Sequence, residues 1–275
     1  MVITEPGIYS IPPEQYHADP VEGGSLTSSG ARKLLRCPAR FRHELDCPPA
    51  PTEAMEVGSA AHRLVLGVGP ELVRVEAPDW RSSAARAERD RARAEGKIPL
   101  LAHQHDAVHA MAARLREHPL AGALLRRPGK PEQTLVWRDS RTGVRCRAMV
   151  DYLSTPRRRL ILVDYKTTSD ASDDGIRSSV ARYGYHQQAA WYCAGVRALG
   201  LSDDPAFLFI FQEKEPPYLA RVVELDRPAM EYGEQRNRRA LEIYRECVES
   251  GRWPGYSDKE ITLISLPEWA YKESE

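Results

Sequence analysis

Residues 145–170 read RCRAMVDYLSTPRRRLILVDYKTTSD, and the fold turns on this stretch. Its second half, LILVDYK (160–166), is apolar enough for a buried strand, yet it sets Asp164 and Lys166 among apolar neighbours. Side chains alternate along a strand, so the two charges share one face while Val163 and Tyr165 share the other. VRCRAMVDYL (144–153) reads as the strand before it, STPRR as the turn between them, and QTLVWRD (133–139), turning at SRTG, as the strand before that. Three strands with short turns predict an antiparallel meander, and its last turn can bring Asp151 and Asp164 side by side. Two carboxylates and a substrate phosphate give magnesium the hard oxygen ligands it prefers. Lys166, on the face of Asp164, can orient or deprotonate an attacking water and offset phosphate charge. The outline is a phosphodiesterase site, although an acid and a lysine two apart mean little alone: Glu95-Gly96-Lys97 repeats the spacing in a charged helix.

Working outward, the helix YGYHQQAAWYCAGVRAL (183–199) follows a polar loop, TTSDASDDG, and places Gln188 and Tyr192 four apart on one face, with Tyr185 one turn earlier. AFLFIFQEK then reads as a buried strand, YLARVVEL as its hairpin partner, and residues 228–250 as a charged helix. Upstream, LTSSGARKLLRCPARFRHEL is a capped helical pattern interrupted at Cys37-Pro38, and EAMEVGSAAHRLVLG is a buried helix whose small residues allow close packing around His62. Residues 82–97 form a charged helix, and another covers about 101–117 before Pro119. Residues 1–25 are expected to be extended and the tail 252–275 irregular. No composition break divides the chain, so residues 1–275 are expected to form one domain.

Thirty-nine Lys and Arg balance thirty-nine Asp and Glu, so any nucleic-acid surface must come from the distribution of charge. The first residues lack a basic start followed by an apolar run, and no stretch approaches the roughly 20 apolar residues of a membrane span, so a soluble, cytoplasmic protein without a membrane partner is expected. Five cysteines, widely spaced and without a CxxC pair, read as reduced thiols.

Taken in order, GSAAH ending at His62, PEQTLVW with Glu132, AMVDYL with Asp151, VDYKTT with Asp164 and Lys166, and YHQQAAWY with Gln188 and Tyr192 resemble the RecE-like (exonuclease VIII type) branch of the PD-(D/E)XK nuclease superfamily. RecB-type nuclease domains and lambda exonuclease are its more distant relatives. The Ser-rich helix with its Cys-Pro turn, FIFQEKEPPY, and the WPGY and LPEWA tail extend the resemblance over nearly the whole chain. It implies an α/β fold, a restriction-endonuclease-like core with a central mixed sheet flanked by helices and the site at a notch in the sheet. It further implies that Asp151, Asp164, the backbone carbonyl of Tyr165 and His62 bind the metal, with Glu132 as a weaker candidate. Lys166 would act on water, and Gln188 and Tyr192 would form a QxxxY motif that contacts phosphate or positions the site.

The activity implied is that of a magnesium-dependent exodeoxyribonuclease acting on duplex ends in phage-type recombination, passing the exposed strand to an annealing protein. Manganese suits the same ligands. An endonuclease, a single-strand or flap nuclease, or an inactive DNA-binding module are the alternatives, and assembly into a homo-oligomer stays open. Members of the superfamily that carry an iron–sulfur cluster pair an early cysteine with a late group of three, whereas Cys247 stands alone late in this chain, so no cluster is expected. Strict alternation puts Arg145 and Arg147 on the face of Asp151, suited to DNA phosphates. Arg157, Arg158 and Arg159 lie in the adjoining turn, and Arg32, Lys33, Arg36, Arg40 and Arg42 stud the early helix.

Overall fold

Alternation in the strand Ala206–Glu213 sends its two sets of side chains into two different cores. Phe207, Phe209 and Phe211 pack with Trp191, Tyr192 and Val196, whereas Ile210 packs with Ala60, Ala61 and Met111. A strand buried on both faces belongs inside a sheet covered by helices on both sides.

The structure, a computed structural model, describes residues 1–47, 52–155, 159–257 and 261–271. In chain order the elements are β1 (Gly7–Tyr9), α1 (Pro13–His17), β2 (Leu26–Thr27), α2 (Ser28–Arg36), α3 (Pro38–Asp46), α4 (Glu53–Leu66), β3 (Leu72–Val75), α5 (Ser83–Ala94), β4 (Ile98–Leu101), α6 (Ala102–Glu117) and α7 (Pro119–Leu125). They continue with β5 (Gly129–Arg138), β6 (Arg145–Ser154), β7 (Ile161–Thr168), α8 (Asp173–Tyr183), α9 (Tyr185–Ala198), β8 (Ala206–Glu213), β9 (Ala220–Glu224), α10 (Arg227–Ser250) and α11 (Glu268–Tyr271). The main sheet is ordered β1-β5-β6-β7-β8-β9, with β2 added to β6. β5, β6 and β7 form the expected antiparallel meander, β8 joins β7 in parallel after the crossover through α8 and α9, and β9 returns antiparallel. The fold is thus a mixed α/β sheet flanked by helices. Among the described residues no helix is long and apolar enough to cross a membrane.

Several elements depart from the pattern read in the sequence. Residues 1–25 carry β1 and α1 rather than a purely extended chain, and β3 pairs in parallel with β4 as a separate two-stranded sheet. The loop TTSDASDDG ends early because Ser172 accepts a hydrogen bond from the Gly175 N–H and Asp173 and Asp174 occupy the first turn of α8, acids placed where a helix N-terminus favours them. Gly184, at φ 66°, closes α8 and opens α9. A side chain there would be strained by that φ, and its Cβ would also lie 2.6 Å from Cδ of Arg32.

Alternation along β6 slips by one residue. Cys146, Ala148 and Val150 join the core beneath α9, but beyond Asp151 it is Leu153 that packs against that core, and Tyr152 packs against the core beneath α4. The slip coincides with Glu132, which stands opposite Asp151 between the pairs Pro131 with Tyr152 and Gln133 with Val150, and holds φ 46°. A side chain in the left-handed region costs on the order of 1 kcal/mol.

Arg147 lies on the stretch before the slip and is buried against the N-terminal segment. Its Nη1 donates to the Ser25 carbonyl at 3.0 Å and the Ser25 hydroxyl at 2.7 Å, lies 2.8 Å from Oδ1 of Asp19, and its guanidinium sits 5.1 Å from the Tyr16 ring centroid. Arg147→Ala is expected to cost about 2 kcal/mol of stability and to release residues 1–25 to proteolysis, as read by urea unfolding and limited digestion.

Candidate active site

β6 and β7 pair through only two residue pairs, Tyr152 with Val163 and Leu153 with Leu162. Beyond these the strands part, and the next residues in register, Asp151 and Asp164, flank the opening. The Asp151 carboxylate takes the place of the missing ladder partner: its Oδ2 accepts the Tyr165 N–H at 2.8 Å. A strand residue points its N–H and C=O to the same side, so the Tyr165 carbonyl faces the opening as well. The opening in the sheet is the expected notch.

Asp164 is 2 % exposed, with Phe209 its register partner in β8 and Phe211 beside Lys166. Its Oδ1 accepts from Nε2 of Gln188 at 2.5 Å. Its Oδ2 lies 2.5 Å from Nζ of Lys166, an ion pair outside hydrogen-bond alignment, so this buried oxygen has no aligned donor. Burial, with the nearby Asp151 charge, lifts the Asp164 carboxyl to about 6 although Lys166 opposes the shift. For Lys166 burial works the other way, and the Asp164 and Asp151 charges outweigh it and hold the ammonium above its usual pKa. The ammonium also sits 5.1 Å from the Tyr185 ring centroid, a face that favours a cation.

His62 reaches the opening from α4. Its Nε2 is 2.9 Å from Oδ2 of Asp151, and its Nδ1 is 3.8 Å from Oε1 of Glu132. Burial would lower the imidazole pKa, but Asp151 reverses this and the net shift is upward. The Asp151 carboxyl, which burial would raise, is held below its usual range by His62. Glu132 is raised, chiefly by burial. Tyr192, one turn after Gln188, is driven well above its usual pKa by burial, tempered by a hydrogen bond with Gln188.

The opening therefore gathers His62, Glu132, Asp151, Asp164, Tyr165, Lys166, Gln188 and Tyr192 from α4, β5, β6, β7 and α9. The basic residues divide. Arg32, half-buried on α2, donates to the carbonyls of Tyr183 at 2.5 Å and Gly184 at 3.4 Å, and Asp164, Tyr185 and Tyr192 are close enough to act on its charge. Lys33 is paired with Glu44, and Arg36 is exposed. Arg145 is bound to Glu22, and Arg147 is the buried anchor of the N-terminal segment, so the placement of both for phosphate contact is corrected: that segment engages both guanidiniums. Arg159 pairs with Asp204 and Glu224, while Arg157 and Arg158 lie outside the described residues. Sequence reading noted Tyr185 without seeing that it roofs Lys166, and it passed over Tyr183, whose ring lies 5.6 Å from that of Tyr185.

The donor set suits a hard divalent cation: two carboxylates, one with a buried oxygen lacking an aligned donor, a histidine, and a backbone carbonyl freed by strand divergence. Among the described residues no three His, Cys, Asp or Glu side chains converge as they stand. His62 and Lys166 now occupy the carboxylates, and an incoming ion would take over their charge compensation.

The chain belongs to the family described as the PDDEXK-like domain of unknown function (DUF3799), whose model matches residues 27–263, and thereby to the PD-(D/E)XK nuclease superfamily. The crystal structure of a candidate exonuclease from Eubacterium rectale superimposes with a TM-score of 0.58 at 14% identity, over 92% of this chain and 97% of that one, a likeness of fold. SSO0001 aligns at a TM-score of 0.36 and 12% identity over 86% of this chain and 80% of that one, too low to bear on the fold. No curated protein matches the sequence.

Lys166→Met would leave Asp164 buried beside Asp151 without its cation. The carboxyl midpoint, near 6 in the parent chain, is expected to move upward in a carbon-detected NMR titration, and an unmoved midpoint would show that Lys166 does not govern it.

Proposed function

We propose that the chain is a metal-dependent deoxyribonuclease of the RecE-like type that trims duplex DNA from an end, with residues 1–275 working as one nuclease domain. The observation that carries this reading is the parting of β6 and β7 at the register pair Asp151 and Asp164, with Asp151 bonded to the Tyr165 N–H and Lys166 beside Asp164. Family membership and the fold shared with the Eubacterium rectale structure, itself described as a candidate exonuclease, support it.

Asp151, Asp164, His62 and the Tyr165 carbonyl would hold the ion, with magnesium as the first choice and manganese suited to the same oxygens. When bound, a divalent cation polarises the phosphoryl group and lowers the pKa of water. The chain's own groups do the rest. Lys166, once released from Asp164, presents a cation to the charge that develops on the phosphate and holds the attacking water. Gln188 fixes Asp164 through Oδ1, and Tyr192 backs Gln188. Glu132 stands on the Nδ1 side of His62 whereas Asp151 takes Nε2, which fits a partner that orients the imidazole better than a direct ligand. The exposed Arg36 and the half-buried Arg32 offer positive charge along α2 for the DNA backbone. A role in phage-type recombination, with an annealing protein receiving the strand and several copies assembling around the duplex, rests on the resemblance.

Purified protein with magnesium is expected to degrade linear duplex DNA and spare a closed circle, with chelator abolishing the loss. Asp164→Asn is expected to lose cleavage while still shifting labelled DNA in a gel. Cutting of the circle would replace the exonuclease with an endonuclease, and a parent-like rate in Asp164→Asn would remove the metal assignment. Glu132→Gln is expected to weaken manganese binding about tenfold by calorimetry without altering the circular dichroism spectrum; unchanged affinity would leave Glu132 without a part in holding His62.

A further inference from the structure

Beside Lys166 stands an aromatic pair that none of the chemistry above uses. Tyr185, at the first position of α9, covers the Lys166 ammonium at 5.1 Å and packs on Phe209 and Phe211. Tyr183, at the last position of α8, holds its ring 5.6 Å from that of Tyr185 at 33° and is 51% exposed. One ring thus separates an open aromatic surface from the lysine beside Asp164.

Tyr232, another exposed ring among the described residues, stacks on His186 at 5.3 Å and 21°. Tyr183 is also the ring whose backbone is pinned: Nη1 of Arg32 donates to its carbonyl, and Gly184, in the left-handed conformation and packed against the Arg32 side chain, fixes the turn into α9. Pinning cuts the entropy lost when a ligand is gripped. Two cations flank the ring, since Arg182 lies 5.7 Å from its centroid and Arg32 bonds the Tyr183 carbonyl. An exposed tyrosine amid cations, next to a phosphate-cleaving centre, matches how proteins grip a single strand, with bases on aromatic faces and backbone on positive groups.

Resting on the nuclease reading, we infer that Tyr183, supported by Tyr185, is a stacking subsite for an unpaired nucleobase of the strand whose phosphate lies at Asp164 and Lys166. A base inside a duplex has no free face for the ring, so the subsite takes a base at a frayed end or in a single strand. It stacks without reading the base edge and so tolerates any sequence.

The test is binding, in chelator so that nothing is cut, of a fluorescently labelled single-stranded oligonucleotide to the full chain. Tyr183→Ala is expected to weaken binding about tenfold, and Tyr183→Phe to keep it. In a series of oligonucleotides with one abasic position walked along the strand, one position is expected to weaken the parent chain about as much as Tyr183→Ala does, and to cost Tyr183→Ala nothing further. Parent-like binding by Tyr183→Ala, or an equal loss at every abasic position in parent and variant, would overturn the subsite while leaving a nuclease in place. A parent chain that binds no DNA would overturn the nuclease reading and the subsite with it.

Discussion

A buried carboxylate and the half-buried ammonium beside it, set against phenylalanines, make the constraint on which the rest of the structure depends. Removing two such charges from water costs several kcal/mol each unless their remaining hydrogen-bonding and electrostatic needs are met. The chain meets them from different elements: Gln188 on α9 bonds Oδ1 of Asp164, Lys166 faces Oδ2, and Tyr185 offers its ring to the ammonium. The contacts of Gln188 and Tyr185 fix α9 against β7, and Gly184 lets the helix start where Tyr185 can reach Lys166. The alternating phenylalanines of β8 provide the apolar wall that lifts the Asp164 carboxyl to about 6. Packing and chemistry are thus the same requirement: a loosely held α9 would leave Asp164 without Gln188 and Lys166 without its roof.

The second constraint is the parting of β6 and β7. A central strand pair that stops after two residue pairs leaves backbone groups to be satisfied, and Asp151 does this for the Tyr165 N–H with its side chain. That bond aims the carboxylate into the gap and so toward His62. Directly across β5 and β6, Glu132 adopts a backbone conformation that a side chain ordinarily avoids. Such strain persists where the surroundings over-determine it and clusters at functional sites. Here it coincides with the point where β6 changes which faces its residues present.

The site was more legible than its surroundings because most of its residues sit on regular elements. The shared face of Asp164 and Lys166, and the four-residue spacing of Gln188 and Tyr192, follow from period alone, and both hold because β7 and α9 are regular. His62 entered through the order of motifs, since no local period ties α4 to the gap. Arg145 and Arg147 were read as free for phosphate because nothing in the pattern of β6 shows that Glu22, Asp19 and Ser25, far away in the chain, fold onto them. The pairing of β3 with β4 was illegible for another reason: the partners are joined through α5, and such non-local pairing is not written in either segment. The start of α8 was legible in principle, as Ser172 followed by two aspartates is a capping signal, but its acids looked like loop.

With Arg145 and Arg147 committed to the N-terminal segment, positive charge near the opening falls to α2 and to the junction of α8 and α9. Net charge is zero, so a polyanion approaching elsewhere meets no bulk attraction. Arg32 links the two positive regions, since it belongs to α2 yet bonds the carbonyls of Tyr183 and Gly184. On the proposed function, a strand laid along α2 would arrive at Lys166 from the side of Tyr183. The N-terminal segment is held on β6 by Arg147. The burial of Arg147 has the same origin, since Tyr16, Asp19 and Ser25 close over its guanidinium.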